Sequence, residues 1–144
     1  MLAGMSRTFD LHRLKEAAAT ALADHEEVAA AYAYGSRVSG RPLPGSDLDI
    51  AVVTTRTGAE SDPLLAERLA GRLAEALGGA VEIDCRLADA LPLALIGRIV
   101  TEGVLVHDGS PELRVAFETD TRRLYFDFLP FIERDARDGL LAGG

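Results

Sequence analysis

Two closely spaced carboxylates and an upstream glycine–serine pair are the residues of this chain best suited to chemistry. Asp47 and Asp49 follow Gly35-Ser36 after ten intervening residues. In an extended segment, residues i and i+2 point to the same face, so the two carboxylates would share one edge of a strand. Such oxygen ligands suit a hard divalent cation that carries nucleotide phosphates. Gly35 permits close backbone approach, and the Ser36 hydroxyl with nearby amides can hold β- and γ-phosphates.

The elements that must position these residues can be predicted from the hydrophobic pattern. Residues 8–24 carry apolar side chains at helical spacing, and Leu48–Thr54 has the composition of a buried strand. Between the two motifs, residues 37–46 hold two glycines, two prolines and two serines, which predicts a loop. The segment Val28–Tyr34 is ambiguous. Its alanines favour a continued helix, whereas its alternating larger residues allow a strand.

The sequence pattern in the second half of the chain predicts a further helix, a strand, another helix and a short strand. Asp62 is a plausible N-cap with Pro63 at the first helical position, and the glycine pair after Leu77 ends that helix. Its apolar stripe consists of Leu65, Leu69, Leu73 and Leu77. Residues 81–87 alternate as a strand, with Val81, Ile83, Cys85 and Leu87 on one face and Glu82, Asp84 and Arg86 on the other. A helix over 91–102 and a strand over 104–107 follow.

A long helix is predicted from Ser110-Pro111 to the end of the chain, with Pro130 expected to kink or restart it. Its apolar stripe is Leu113, Phe117, Leu124 and Phe128. Five of the eight Phe and Tyr residues crowd into 117–131 (Phe117, Tyr125, Phe126, Phe128 and Phe131). We interpret most of them as intramolecular core. A partner-binding patch is the alternative, because Phe126 lies off the stripe.

Length, charge and cysteine content narrow the class of protein. A chain of 144 residues predicts one domain spanning 1–144, and the net charge of −8 argues against a nucleic-acid substrate. The longest apolar run, 90–97, is too short to span a bilayer, so no membrane partner is expected. A single cysteine, Cys85, and an N-terminus without an apolar signal segment favour a cytoplasmic location. The three histidines (His12, His25 and His107) lack metal-ligand spacing.

The segment from Tyr34 to Ile50, YGSRVSGRPLPGSDLDI, closely resembles the signature of the polymerase-β-like nucleotidyltransferase superfamily. The short chain is similar to the minimal nucleotidyltransferase (MNT) proteins, many of which are antitoxins to HEPN-domain ribonuclease toxins. The resemblance implies an α/β (α+β) fold with a small mixed sheet flanked by helices, and it makes Val28–Tyr34 a strand. It divides the domain into an N-terminal helix (8–24), a catalytic core (28–108) and a helical C-terminal segment (110–140).

The resemblance also implies a role for each site residue. Members of the family carry a third acidic residue in a hydrophobic–Asp–hydrophobic strand, and Ile83-Asp84-Cys85 matches that pattern. Asp47, Asp49 and Asp84 would then be the catalytic carboxylates and the ligands of Mg²⁺, with Asp84 as the general base. Gly35, Ser36 and Arg37 would bind the nucleotide. Glu82 and Arg86, which share the face of Asp84, are interpreted as structural.

The function implied by the resemblance is transfer of AMP from ATP to a tyrosine of a cognate HEPN toxin, which blocks its RNA cleavage. Two alternatives remain open from the sequence. One is a small-molecule nucleotidyltransferase of the aminoglycoside-modifying kind, although such enzymes usually carry an additional substrate-binding domain. The other is a non-catalytic antitoxin that occludes its toxin by binding alone, which the intact acidic residues argue against.

Overall fold

A four-stranded mixed sheet forms the centre of the protein, seen in a computed structural model that describes residues 10–35, 38, 47–55 and 62–143. The strands are β1 (Val28–Tyr34), β2 (Leu48–Thr54), β3 (Ile83–Leu87) and β4 (Val104–Asp108), in the order β3-β2-β1-β4. β1 pairs antiparallel with both β2 and β4, whereas β2 and β3 run parallel.

In the described part of the chain, four helices cover the two faces of the sheet. α1 (Leu11–Leu22) and α2 (Leu65–Ala76) pack on one face, and α3 (Leu93–Glu102) and α4 (Pro111–Gly143) pack on the other. A short 3₁₀ turn, Ala88–Ala90, joins β3 to α3. The observed α/β layers confirm the predicted fold class. Among the described residues, no helix combines the length and the apolar character needed to cross a bilayer.

The strand at Val28–Tyr34 shows how tertiary contacts override local propensity. Six of its seven residues are buried, because β1 lies between β2 and β4 and is covered by helices on both faces. Alanine is a poor strand former by itself. A central strand that is buried on both faces, however, has an almost continuous apolar sequence, and small alanines fit there. Tyr32 and Tyr34 point to the α3–α4 face, while Ala31 and Ala33 pack against α1 and α2.

The predicted cap of α2 is displaced by two residues. Helix α2 begins at Leu65, and the Asp62 carboxylate accepts a hydrogen bond from the Leu64 amide at 2.9 Å and pairs with Arg68. Asp62 and Pro63 therefore build a turn that precedes the helix, and Pro63 does not occupy its first position. The rest of the helix agrees with the sequence: its leucine stripe is buried, and Gly78 and Gly79 end it at positive φ.

The C-terminal helix differs from its prediction in two respects. Pro130 lies inside a helix that continues without interruption from Pro111 to Gly143, so the helix does not restart there. Of the expected stripe, Phe117 packs against the core, but the prediction is wrong for Leu113, Leu124 and Phe128, which are 45–49% exposed.

The helix instead buries a polar side against the sheet. The buried Tyr32 hydroxyl donates a hydrogen bond to Glu118 (2.6 Å), whose other oxygen accepts from Arg114 (3.0 Å). Arg114 also pairs with Asp108 at the end of β4. Burial and the neighbouring Glu118 carboxylate raise the pKa of Tyr32, so its hydroxyl remains a donor. A polar network, beside the packed Phe117, therefore links α4 to the sheet where a wholly apolar stripe was expected.

Candidate active site

Three neighbouring strands place one residue each at the same level of the sheet. Asp49 on β2 lies opposite Tyr34 of the antiparallel β1 and opposite Asp84 of the parallel β3. Residues paired in register share a face, and here it is the face covered by α3 and α4. The fold thus brings together Asp49 and Asp84, which are 35 positions apart in the sequence and were predicted to share a site.

The backbone at Gly35 is shaped around the Asp49 carboxylate. Gly35 ends β1 with φ +88°, a conformation that favours glycine, and a Cβ atom built there would lie 2.5 Å from Oδ2 of Asp49. No other residue type could occupy this position without moving the carboxylate or the strand end. Gly35 therefore allows the end of β1 to approach the Asp49 carboxylate closely, while its role in binding phosphate stays a prediction.

Asp47 lies just before β2, exposed to solvent, with the fully buried Leu48 between it and Asp49. The negative charge of Asp47 acts on Asp49, because Asp47 is one of the groups that raise the pKa of Asp49. The i, i+2 spacing thus produces two carboxylates that interact electrostatically at the start of one strand.

The electrostatics of Asp49 are those of a carboxylate in a negatively charged environment. Partial burial raises its pKa most, the Asp84 and Asp47 carboxylates raise it further, and Arg86 opposes them. The same environment extends to Tyr34, whose pKa is raised by burial and by Asp49. A divalent cation would relieve this repulsion, and the carboxylate oxygens of these residues are donors that suit a hard cation of the Mg²⁺ type.

Asp84 is held by a neighbour on its own strand. Its Oδ2 atom lies 3.4 Å from a guanidinium nitrogen of Arg86, two residues further along β3, and the side chains are 36% and 57% exposed. Among the described residues, no three His, Cys, Asp or Glu side chains converge closely enough to form a preformed metal site. Asp49 and Asp84 are thus adjacent in register, but their carboxylates do not converge on a single metal position. Asp84 is paired with the Arg86 guanidinium instead.

An open cavity of about 440 Å³ adjoins the strand end at Gly35. Tyr34, Val38, Leu95 and Ile99 supply apolar wall, and an Arg98–Glu102 pair and Gly103 complete it. It lies between the end of β1 and α3, next to the segment where phosphate-binding residues were predicted. Two of those residues, Ser36 and Arg37, lie outside the described residues, and their expected roles stay predictions.

Two residues of this site were not predicted from the sequence as functional. Tyr34 pairs with Asp49, and Arg86, interpreted as structural, contacts Asp84. The available signal was positional: Tyr34 directly precedes Gly35, and Arg86 stands at i+2 from Asp84 on an alternating strand. The lone Cys85 lies on the opposite face as predicted, and burial raises the pKa of its thiol to about 12.

The mixed sheet and its strand order are those of a polymerase-β-like nucleotidyltransferase fold. Residues 8–112 match the family described as Polymerase beta, Nucleotidyltransferase. The match covers well over half of the chain, and the protein therefore belongs to this family. No curated protein matches the sequence.

Solved structures of similar fold come from toxin–antitoxin systems. A chain of the MntA-HepT toxin–antitoxin is 21% identical, with a TM-score of 0.64 over 90% of this chain and 98% of that one. A toxin–antitoxin structure with AMP-PNP is 23% identical (TM-score 0.68, 88% and 98% covered). A tri-AMPylated Shewanella oneidensis HEPN toxin in complex with MNT antitoxin contains a chain that is 21% identical (TM-score 0.66, 91% and 99% covered). These similarities confirm the polymerase-β-like fold.

Proposed function

We propose that this protein is a metal-dependent nucleotidyltransferase of the MNT type that neutralises a cognate HEPN toxin by transferring AMP from ATP to one of its tyrosines. The observation that carries the proposal is the register of β1, β2 and β3. It aligns Asp49 with Asp84, and it places Asp49 beside Gly35 at the end of β1, whose backbone approaches the Asp49 carboxylate closely. This arrangement suits a reaction in which negative charge on phosphate must be neutralised.

The carboxylates would have different roles in metal binding and proton transfer. Asp47 and Asp49, with a contribution from Asp84, would hold Mg²⁺, which when bound supplies Lewis-acid polarisation of the α-phosphate and neutralises the pyrophosphate charge. Gly35 and Ser36 would bind the β- and γ-phosphates, with Arg37 adding positive charge. The protein's other task is to remove a proton from the acceptor.

Asp84 is the residue we assign to that task. The acceptor tyrosine oxygen forms a bond to the α-phosphorus, the bond to the bridging oxygen of pyrophosphate breaks, and pyrophosphate leaves. Asp84 takes the phenolic proton as the new bond forms. Its partial exposure on the outermost strand β3 leaves it accessible to a group carried by another protein.

The choice of a protein acceptor rests on two supports. Solved structures of the same fold include a tri-AMPylated HEPN toxin with an MNT antitoxin and a complex with AMP-PNP. In this chain, six of the seven large hydrophobic side chains exposed in the described residues lie on one helix, α4: Leu113, Val115, Leu124, Phe126, Phe128 and Phe131. A concentration of exposed apolar side chains of this kind is typical of protein–protein contact. It favours the partner-binding alternative for the aromatic cluster.

A labelling experiment tests the proposal. The purified protein is incubated with Mg²⁺, the product of the neighbouring gene and ATP labelled at either the α- or the γ-phosphate. We expect label on the partner from α-labelled ATP only, and none with Asp49→Asn. Label from γ-labelled ATP would indicate phosphoryl transfer, and absence of label with either nucleotide would contradict nucleotidyl transfer to this partner.

A further inference from the structure

Arg86 is a basic side chain in contact with Asp84, one of the carboxylates of the site. Its guanidinium lies 3.4 Å from Oδ2 of Asp84, and its charge opposes the rise in the pKa of both Asp49 and Tyr34. It therefore acts electrostatically on all three strands that form the site. The residue opposite Arg86 in the β2–β3 register is the buried Ala51, which offers no charge of its own.

The functional importance of the Arg86–Asp84 ion pair comes from the residue that it engages and not from its contribution to stability. An ion pair this exposed contributes at most about 1 kcal/mol to folding, so a purely structural role would be a weak one. The paired oxygen, however, belongs to the carboxylate that the proposed reaction requires for metal contact and proton transfer. Any divalent cation approaching Asp84 must share that carboxylate with the guanidinium or displace it, and it must do so against the repulsion of a like charge.

We propose that Arg86 is a positioning residue that acts as the internal counter-ion of the acidic site, holding Asp84 and competing with the divalent cation for it. This inference rests on the proposed function. In the free protein the guanidinium offsets part of the repulsion between Asp49 and Asp84. A divalent cation held by Asp84 would replace the Arg86 guanidinium as the counter-ion of that carboxylate, and Arg86 would then be free to contribute its positive charge to the site. Full assembly of the site is thereby coupled to metal binding.

The proposal predicts that removing the positive charge strengthens metal binding. Titration of the nucleotide-free protein with Mn²⁺, followed by the electron paramagnetic resonance signal of the free ion, gives the dissociation constant directly. For Arg86→Gln we expect a constant about three- to tenfold lower than that of the wild type, because a like charge several ångströms from the cation has been removed. Arg86→Lys keeps the charge and should bind Mn²⁺ close to the wild-type affinity.

A matched control separates this effect from a change in net charge. Arg68 on α2 pairs with Asp62 at 2.9 Å, with side chains 64% and 33% exposed, and α2 packs on the opposite face of the sheet. Arg68→Gln therefore breaks an aspartate–arginine pair of nearly the same exposure and removes the same charge. We expect it to leave the affinity for Mn²⁺ unchanged.

The outcomes distinguish the inference from the function on which it rests. Unchanged or weaker Mn²⁺ binding by Arg86→Gln, in a wild type that transfers AMP, overturns the role of Arg86 and leaves the function standing. Equal tightening in Arg68→Gln also overturns it, since net charge alone would then explain the effect. Tighter binding in Arg86→Gln alone supports the counter-ion role even if no AMP transfer is found. A wild type that binds no Mn²⁺ at millimolar concentration overturns both.

Discussion

Replacing Gly35 with alanine tests whether the end of β1 is built around Asp49. The substitution has two costs that can be separated. The first is backbone strain, since φ +88° lies in the left-handed region, where an L-residue costs about 1–2 kcal/mol. The second is steric, because the added Cβ would lie 2.5 Å from Oδ2 of Asp49, whereas Cβ atoms essentially never approach a heavy atom closer than 3.0 Å.

Gly79→Ala supplies the matched control for the backbone term. Gly79 has φ +71°, and a Cβ placed there would meet no heavy atom within 4 Å. Both variants should lose about 1 kcal/mol of unfolding free energy, since the smaller entropy of the unfolded alanine chain offsets part of the strain. Only Gly35→Ala should disturb the site. It must displace the Asp49 carboxylate by about half an ångström or more, and a 1 Å misplacement in a catalytic site can cost about 100-fold in rate.

Urea denaturation and AMP transfer, measured on both variants, check these expectations. We predict similar losses of stability, transfer reduced at least about tenfold in Gly35→Ala, and transfer unchanged in Gly79→Ala. The dissociation constant for Mn²⁺ should rise in Gly35→Ala alone. Wild-type transfer and metal affinity in Gly35→Ala would refute the reasoning, because Asp49 would then tolerate displacement and the glycine would serve only the turn.

The remaining predictions concern the carboxylates and the bound ligand. Asp49→Asn should abolish transfer yet leave the metal-free protein as stable as the wild type or more stable, by up to about 1 kcal/mol. Because the pKa of Asp49 is raised in the folded state, the wild type loses stability as the pH rises above the ordinary carboxyl range, so the advantage of the variant in urea melts should grow towards neutral pH. A less stable apo variant would mean that Asp49 has a structural hydrogen-bonding role. Asp84→Asn should retain ATP binding but transfer AMP about 100-fold more slowly, whereas Glu82→Gln should be harmless; the reverse result would assign the base to Glu82. Mg-ATP at a hundredfold excess over Kd should stabilise the native state by about 2.7 kcal/mol in a thermal melt, and EDTA should reduce the shift. No shift at millimolar ligand would count against a nucleotide site.

The sequence predicts the elements that carry the site more completely than it predicts their arrangement. The strands Val28–Tyr34 and Leu48–Thr54 occur with the predicted bounds, although the first needed the family resemblance to decide it. The pairing of Asp49 with Asp84 depends on the parallel register of β2 and β3. Because α2 lies between these strands in the sequence, no local sequence pattern determines that register. The contact between Arg86 and Asp84 follows from that arrangement together with a side-chain rotamer, so sequence periodicity could show only a shared face.

Helix α4 shows why an apolar stripe can mislead. Hydrophobic periodicity assigned Leu113, Leu124 and Phe128 to the core, yet they are about half exposed. The side that faces the sheet carries Arg114 and Glu118, which are held there by the ion pair with Asp108 and the hydrogen bond with Tyr32. A pattern based on hydropathy cannot anticipate polar residues that are buried as a network. Nor can it distinguish apolar residues that pack within the chain from those available to a partner.

In the proposed function, the protein modifies its partner covalently and does not inhibit it by binding alone. The most direct measurement is the intact mass of the neighbouring gene product after co-expression with the wild type or with Asp49→Asn, followed by peptide mapping of the modified residue. We predict a mass increase by whole AMP units on tyrosine with the wild type and none with the variant. A partner that is bound and inactivated by the wild type without any added mass would contradict it.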